Sequence, residues 1–213
     1  MTIIVRSLSD QTYEIVRQQI LEGVLAPGMP VRQDSMACEL GISKIPLREA
    51  LGRLEQDGLL CSHPNRGYVV RAMSADEARE VFSLRLKLEP GAVAEACLRI
   101  DHEDQRLAMA ELTALEAEQD KSGADHVSLN RSFHMSLIKP GGPIAYHLIE
   151  RLHILAERYV RAHLAPQGRE ERARREHRDI LAAWTRGDAP RTEALVISHI
   201  EGTLTDLQEQ LLG

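Results

Sequence analysis

The sequence predicts a mostly α protein in two parts: three short helices closed by a β-hairpin, then an all-α helical bundle. Three observations carry this. Aromatic residues are only 3% of the 213 positions, so Leu, Ala, Ile and Val must fill the interior, which favours helix packing. Apolar residues recur at spacings of three and four along most of the chain, the period of a helix with one buried face. Stretches rich in Gly and Pro cut that pattern into helix-sized lengths. A hydrophobic content of 43% with 27% charge belongs to a folded, soluble chain and excludes a disordered one.

Residues 9–25, SDQTYEIVRQQILEGVL, place Tyr13, Val16, Ile20 and Val24 on one face, with Ser9 or Asp10 as N-cap. APGMP stops that helix. QDSMACEL, residues 33–40, reads as a short second helix with Met36, Ala37 and Leu40 inward, and Gly41 closes it. Ser43 caps a third helix, which tolerates Pro46 in its first turn because the amides there lack partners anyway. That helix buries Leu47, Ala50, Leu51 and Leu54, and Gly58 ends it. Two β-prone runs around HPNRG then read as a hairpin. Three short helices and a hairpin describe a winged helix-turn-helix, assigned here to residues 1–72.

Residues 73–213 read as six helices with short connections. The first opens at Ser74 with Glu77 three positions on, a capping box, and Pro90 should kink or split it. Further runs cover roughly 102–120, 124–138, 142–163, 167–186 and 189–211, separated by KSGAD, KPGGP, APQG and GDAP.

The net charge of −6 argues against a general nucleic-acid binder, but its distribution qualifies that. Residues 1–71 hold eight basic and eight acidic side chains, and the remainder carries the whole −6. Within 44–71 the balance is five basic to three acidic, a local positive surface of the kind that approaches DNA. Cys38, Cys61 and Cys97 form no CxxC pair, which fits a reducing cytoplasm. No apolar run approaches the roughly 18 residues that cross a bilayer, and the N-terminus has no secretory leader pattern.

The outer face of the third helix carries Ser43, Lys44, Arg48 and Arg53, and the hairpin tip carries His63, Arg66 and Gly67. Such groups pair with guanine edges or phosphates, and equally can be solvated charges on a small helical domain. The block from PGMPVRQDS to HPNRGYVV resembles the winged helix of GntR-family bacterial transcription regulators. Their recognition-helix pattern, Ser-Arg-Thr-Pro-Val-Arg-Glu-Ala-Leu, here runs Ser43-Lys44-Ile45-Pro46-Leu47-Arg48-Glu49-Ala50-Leu51. Lys44 in place of Arg loses a bidentate fork, and Ile45 in place of Thr loses a hydroxyl. The resemblance therefore implies binding to double-stranded operator DNA through these residues, with an altered operator sequence.

In NRSFHMSL, Asn130 and His134 stand four apart on one helix face; His177 in REHRDI and His199 in VISHIEG lie in two later helices. Three imidazoles and an amide oxygen facing a bundle core make a workable divalent-metal set, or a set of satisfied core side chains. These runs resemble the FCD domain that follows FadR-type winged helices, in its VanR-like six-helix form. In that family an Asp and three His chelate a metal beneath an effector cavity, which implies Asn130, His134, His177 and His199 as ligands here. Zn or Ni suits that donor set best, with Mn, Fe or Co as further candidates. Asn130 brings no charge, so the site should hold metal less tightly and attract an anion more strongly. Arg85 matches a family position that faces an effector carboxylate; on its own it is equally a solvated helix charge.

The reading is a cytoplasmic, homodimeric transcription regulator, a repressor, responding to a small organic acid and having no membrane partner. Its rivals are a metal-dependent enzyme and a DNA-binding dimer with neither metal nor effector.

Overall fold

The computed structural model describes residues 7–64, 67–118, 124–163 and 169–212. The chain divides into two compact units, residues 1–73 and 74–213.

In the first unit, α1 (Leu8–Leu21), α2 (Gln33–Glu39) and α3 (Lys44–Gln56) precede an antiparallel hairpin of β1 (Leu60–His63) and β2 (Gly67–Val70). The cap of α1 is Ser7, not Ser9 or Asp10: the Ser7 hydroxyl accepts from the Asp10 amide while the Asp10 carboxylate accepts from the Ser7 amide. Asp10 is thus the third helical residue of a capping box, which closes two backbone donors at once. Tyr13, Val16 and Ile20 are buried as their spacing predicts, but Val24 lies past the helix end and is exposed. Tyr13 Oη donates to Asp57 Oδ2 at 2.5 Å, tying α1 to the end of α3. Leu47, Ala50, Leu51 and Leu54 are fully buried, leaving the opposite face of α3 to solvent. Gly67 begins β2 opposite His63 with φ of +72°, a left-handed conformation that glycine adopts without a Cβ clash.

The second unit holds α4 (Ala75–Cys97), α5 (His102–Glu118), α6 (Ala124–Ile138), a 3-10 turn (Lys139–Gly141), α7 (Pro143–His163), α8 (Arg169–Thr185) and α9 (Ala189–Leu212). Ser74 caps α4 by accepting from the Glu77 amide, yet Glu77 turns its carboxylate to Tyr159 Oη on α7. The Ser74 amide is satisfied by the same tyrosine at 3.3 Å, so a neighbouring helix takes over half of the expected capping box. Pro90 does not split α4, which runs unbroken for 23 residues. Buried Val81 and Phe82 before the proline and Val93, Ala94 and Ala96 after it hold both halves against the core. Burial on both sides offsets the one hydrogen bond proline removes. At the centre, α4 packs against α7 and α9. Trp184 of α8 is fully buried, and its indole N–H donates to the Leu137 carbonyl of α6 at 3.1 Å.

Candidate DNA-reading face and buried imidazole cluster

On α3 the exposed face presents Ser43, Lys44, Ile45, Arg48 and Glu49. Ser43 occupies the N-cap position with its hydroxyl making no capping bond. Arg48 Nε donates to Gln33 Oε1 at 3.2 Å, and Lys44 is paired with Asp34, so α2 orients both cations from behind. All these groups remain at the surface, where water or phosphate competes easily for such pairs. Arg53 is placed differently. Its guanidinium donates to Asp10 at 2.6 Å and lies 4.5 Å from the Tyr13 ring centre, so it links α3 to α1 while staying at the surface. The spacing along α3 is ambiguous there, because Arg53 stands between the outer face and the α1 side. His63 is exposed at the end of β1 and Gly67 begins β2; Arg66 lies outside the described residues.

In the second unit, α6, α8 and α9 bring His134, His177 and His199 together, with potential ligand atoms all within 4.8 Å of one another. Ring centres are 5.3 Å apart for His134 and His177, 5.1 Å for His134 and His199, and 4.7 Å for His177 and His199. All three are buried. Asn130 is one turn before His134 on α6 and half-buried.

Two carboxylates set the orientation of this cluster. Glu176 Oε2 is 2.7 Å from His199 Nδ1, and Glu89 Oε1 is 3.2 Å from His134 Nδ1. Glu176 favours the proton on His199 Nδ1 and leaves Nε2 as the free lone pair, the arrangement by which outer carboxylates present imidazoles to metals, while Glu89 lies against His134 Nδ1 as a charge contact. His134 Nε2 is buried and has no hydrogen-bond partner among the described residues. A divalent ion fits these donors: three imidazole nitrogens on converging helices, with carboxylates beside two of them. Burial holds His134 and His199 below the usual imidazole range, against the opposing pull of Glu89 and Glu176. Neutral imidazole is the form that ligates.

Glu89 and His153 were not foreseen as site residues. Glu89 is fully buried on α4, accepting from Arg85 Nε at 2.9 Å and from Arg85 Nη2 at 3.3 Å. His153 of α7 places Nε2 3.1 Å from Glu89 Oε1 and 3.3 Å from Arg85 Nη2. Burial pushes the Glu89 carboxyl up, but Arg85, His153 and His134 outweigh it and hold it well below the usual carboxylate range. Glu89, His134 and His153 could themselves hold a cation. The guanidinium against Glu89 opposes a second positive charge there, so the first triad is the better metal seat. Arg85, expected either to await an anion or to face solvent, is buried and already holds one supplied by its own helix. A visible signal existed: Arg85 and Glu89 are four apart, one helical turn. A cleft of about 570 Å³ opens elsewhere, lined by Arg131, Ser132, Lys139, Tyr146 and His147 among others, on a different face of α6 from His134.

A winged helix with a cationic reading face, followed by a helical domain around a buried imidazole–carboxylate cluster, defines a DNA-binding transcription regulator. The chain belongs to the FCD domain family, which matches residues 80–202, and residues 8–70 match the bacterial regulatory proteins of the gntR family. It is 28% identical over 191 residues to the Nta operon transcriptional regulator of Aminobacter aminovorans, covering 88% of each chain. It is 26% identical to the HTH-type transcriptional repressor RspR of Escherichia coli K12, covering 91% of this chain and 86% of that protein. Among solved structures, E. coli McbR/YncC shares the fold with a TM-score of 0.82 at 23% identity, over 97% of this chain and 99% of that one.

Proposed function

We propose that this regulator is a cytoplasmic repressor, acts as a homodimer on a two-fold operator, and loses DNA affinity when a small organic acid enters the second domain. The observation that carries the reading is the convergence of His134, His177 and His199, with Arg85 linked to them through Glu89. The relative named as a repressor supports the sign of the response, and no described helix is long and apolar enough to cross a membrane. Two-fold symmetry in protein and operator gives the geometric reason for a dimer.

His134, His177 and His199 would hold the divalent ion, zinc or nickel by preference, with the amide oxygen of Asn130 as a fourth donor. When bound, the ion supplies a positive anchor for a carboxylate. The chain's own residues do the switching. An incoming carboxylate meets Arg85 with Glu89 already seated on it, and exchange of one for the other releases Glu89 from the guanidinium. Glu89 also touches His134 on α6 and His153 on α7, so the exchange shifts contacts among three helices. A ligand that favours the exchanged state then shifts the population away from the DNA-binding one. On the first unit, Ser43, Lys44, Arg48 and the hairpin residues His63, Arg66 and Gly67 contact operator.

Fluorescence anisotropy with the operator tests this. Metal-loaded protein should release DNA as a panel of small organic acids is titrated in. Arg85→Ala should keep operator affinity while losing the response to acid, and Arg48→Ala should lose specific retention. Equal operator affinity in metal-free, metal-loaded and acid-saturated protein would sink the sensor and leave a DNA-binding dimer. The acids should be recovered unchanged; multiple turnovers would instead make the second domain a metalloenzyme.

A further inference from the structure

The cleft that α6 lines on a different face from the imidazole cluster carries both signs of charge around an apolar floor. Its volume of about 570 Å³ is that of a small-molecule site. Leu107 of α5, Met135 of α6 and Tyr146 of α7 supply the apolar surface. Met135 is buried while Leu107 and Tyr146 are half-buried, so the floor is recessed yet open to a ligand. Glu111 of α5 and Lys139 of the 3-10 turn line the same cleft, together with Arg131 and Glu150.

These four charges are not equivalent. Arg131 donates to Glu157 at 2.9 Å and lies 3.6 Å from Glu150, so its charge is already matched. Lys139 and Glu111 make no ion pair among the described residues. An ammonium offers only donors and a carboxylate only acceptors, so each calls for a partner of the opposite sign. A simple anion would answer Lys139 and be repelled by Glu111; a simple cation would meet the reverse. A molecule carrying both charges answers both. Tyr146 ties the groups to one place: burial pushes its phenol above the ordinary value, and the charges of Glu150, Arg131 and Glu111 all act on it. Against Met135 and the Tyr146 ring, an aromatic side chain gains more than an aliphatic one, because rings pair with tyrosine and meet thioether sulfur favourably.

We infer that this cleft is a second ligand site, for a zwitterionic amino acid with an aromatic side chain. Lys139 takes its carboxylate, Glu111 takes its ammonium, and Leu107, Met135 and Tyr146 take its ring. The inference does not depend on the acid response proposed at Arg85.

Isothermal titration calorimetry on the full chain is the test, with L-phenylalanine as the probe. The wild type should bind it saturably. L-phenylalaninamide, which lacks the carboxylate, N-acetyl-L-phenylalanine, which lacks the ammonium, and L-alanine, which lacks the ring, should each bind at least tenfold more weakly. Lys139→Gln should weaken L-phenylalanine at least tenfold and leave the amide unchanged. Glu111→Gln should weaken it as much and leave the N-acetyl compound unchanged. Arg85→Ala should bind L-phenylalanine as the wild type does, which keeps this cleft distinct from the imidazole cluster. Binding that survives both cleft variants, or is lost only in Arg85→Ala, overturns the cleft as the site. N-acetyl-L-phenylalaninamide bound as tightly as the free amino acid would make the cleft a peptide groove and overturn the zwitterion. A wild type that gives no binding to L-phenylalanine overturns the ligand class.

Discussion

Glu89 is the residue on which the second domain's polar interior depends. It is fully buried and touches Arg85, His134 and His153, each from within 3.3 Å. Removing one partner of a buried ion pair typically costs about 3–5 kcal/mol, because the other charge is left unmatched. Glu89→Ala should therefore lower the unfolding free energy by roughly that amount in urea titration. The apolar pair Arg85→Met/Glu89→Leu should recover most of it; a double variant as unstable as the single one would contradict the stranded charge as the cause. On the DNA side, Ile45 is 72% exposed on the reading helix between Lys44 and Arg48. An exposed apolar group there can only gain by covering another apolar group, and the thymine methyl is what the major groove offers. Ile45→Thr should reduce the preference for thymine at one operator position in a selection from randomised sites, with overall affinity for non-specific DNA unchanged. The sequence singled out Arg85 and His134 but not the Glu89 that lies between them, and it did not single out His153, because nothing in LIERLHILAERY distinguishes a histidine that meets Glu89 from one that fills a gap.

At the scale of single elements, local chemistry was legible wherever the helix supplied its own partners. The buried positions of α3 follow from their spacing. The start of α1 was placed two or three residues late, because Ser9 and Asp10 are as good caps by type as Ser7, and only the closed Ser7–Asp10 pair decides among them. That pair makes a pH prediction. Hydrogen bonds from Ser7 and then Arg53 hold the Asp10 carboxyl below its ordinary value of 3.8. A carboxyl lowered by folding stabilises the folded state above its unfolded pKa and loses that contribution as pH falls through the folded one. The difference in Tm between the wild type and Asp10→Asn should thus be present at neutral pH and vanish in strong acid; a constant difference would remove the ionised cap. Pro90 shows the converse case. Proline's local rule predicts a break, and packing on both sides of it keeps α4 whole.

For the whole molecule, the test of the imidazole cluster is thermodynamic linkage. A ligand bound only by the folded state, at a hundredfold excess over its Kd, stabilises by about 2.7 kcal/mol. Titrating zinc or nickel into metal-free protein should raise stability by about that amount at the corresponding concentration, and His177→Ala should abolish the gain. A metal-independent unfolding curve would reduce the three histidines to core residues. The sequence by itself determined the helical periodicity, the winged helix with its cationic face, and three histidines spaced so that helices could bring them together. Those are properties of residue type and order, which short-range physics reads directly. Only the tertiary structure decided that Arg53 serves α1, that Tyr159 completes the start of α4, and that Glu89 stands between Arg85 and the imidazoles. Each of the last two depends on side chains from separate helices meeting, for Glu89 in a low-dielectric interior, where the identity of the neighbour, and not the spacing along the chain, sets the energy.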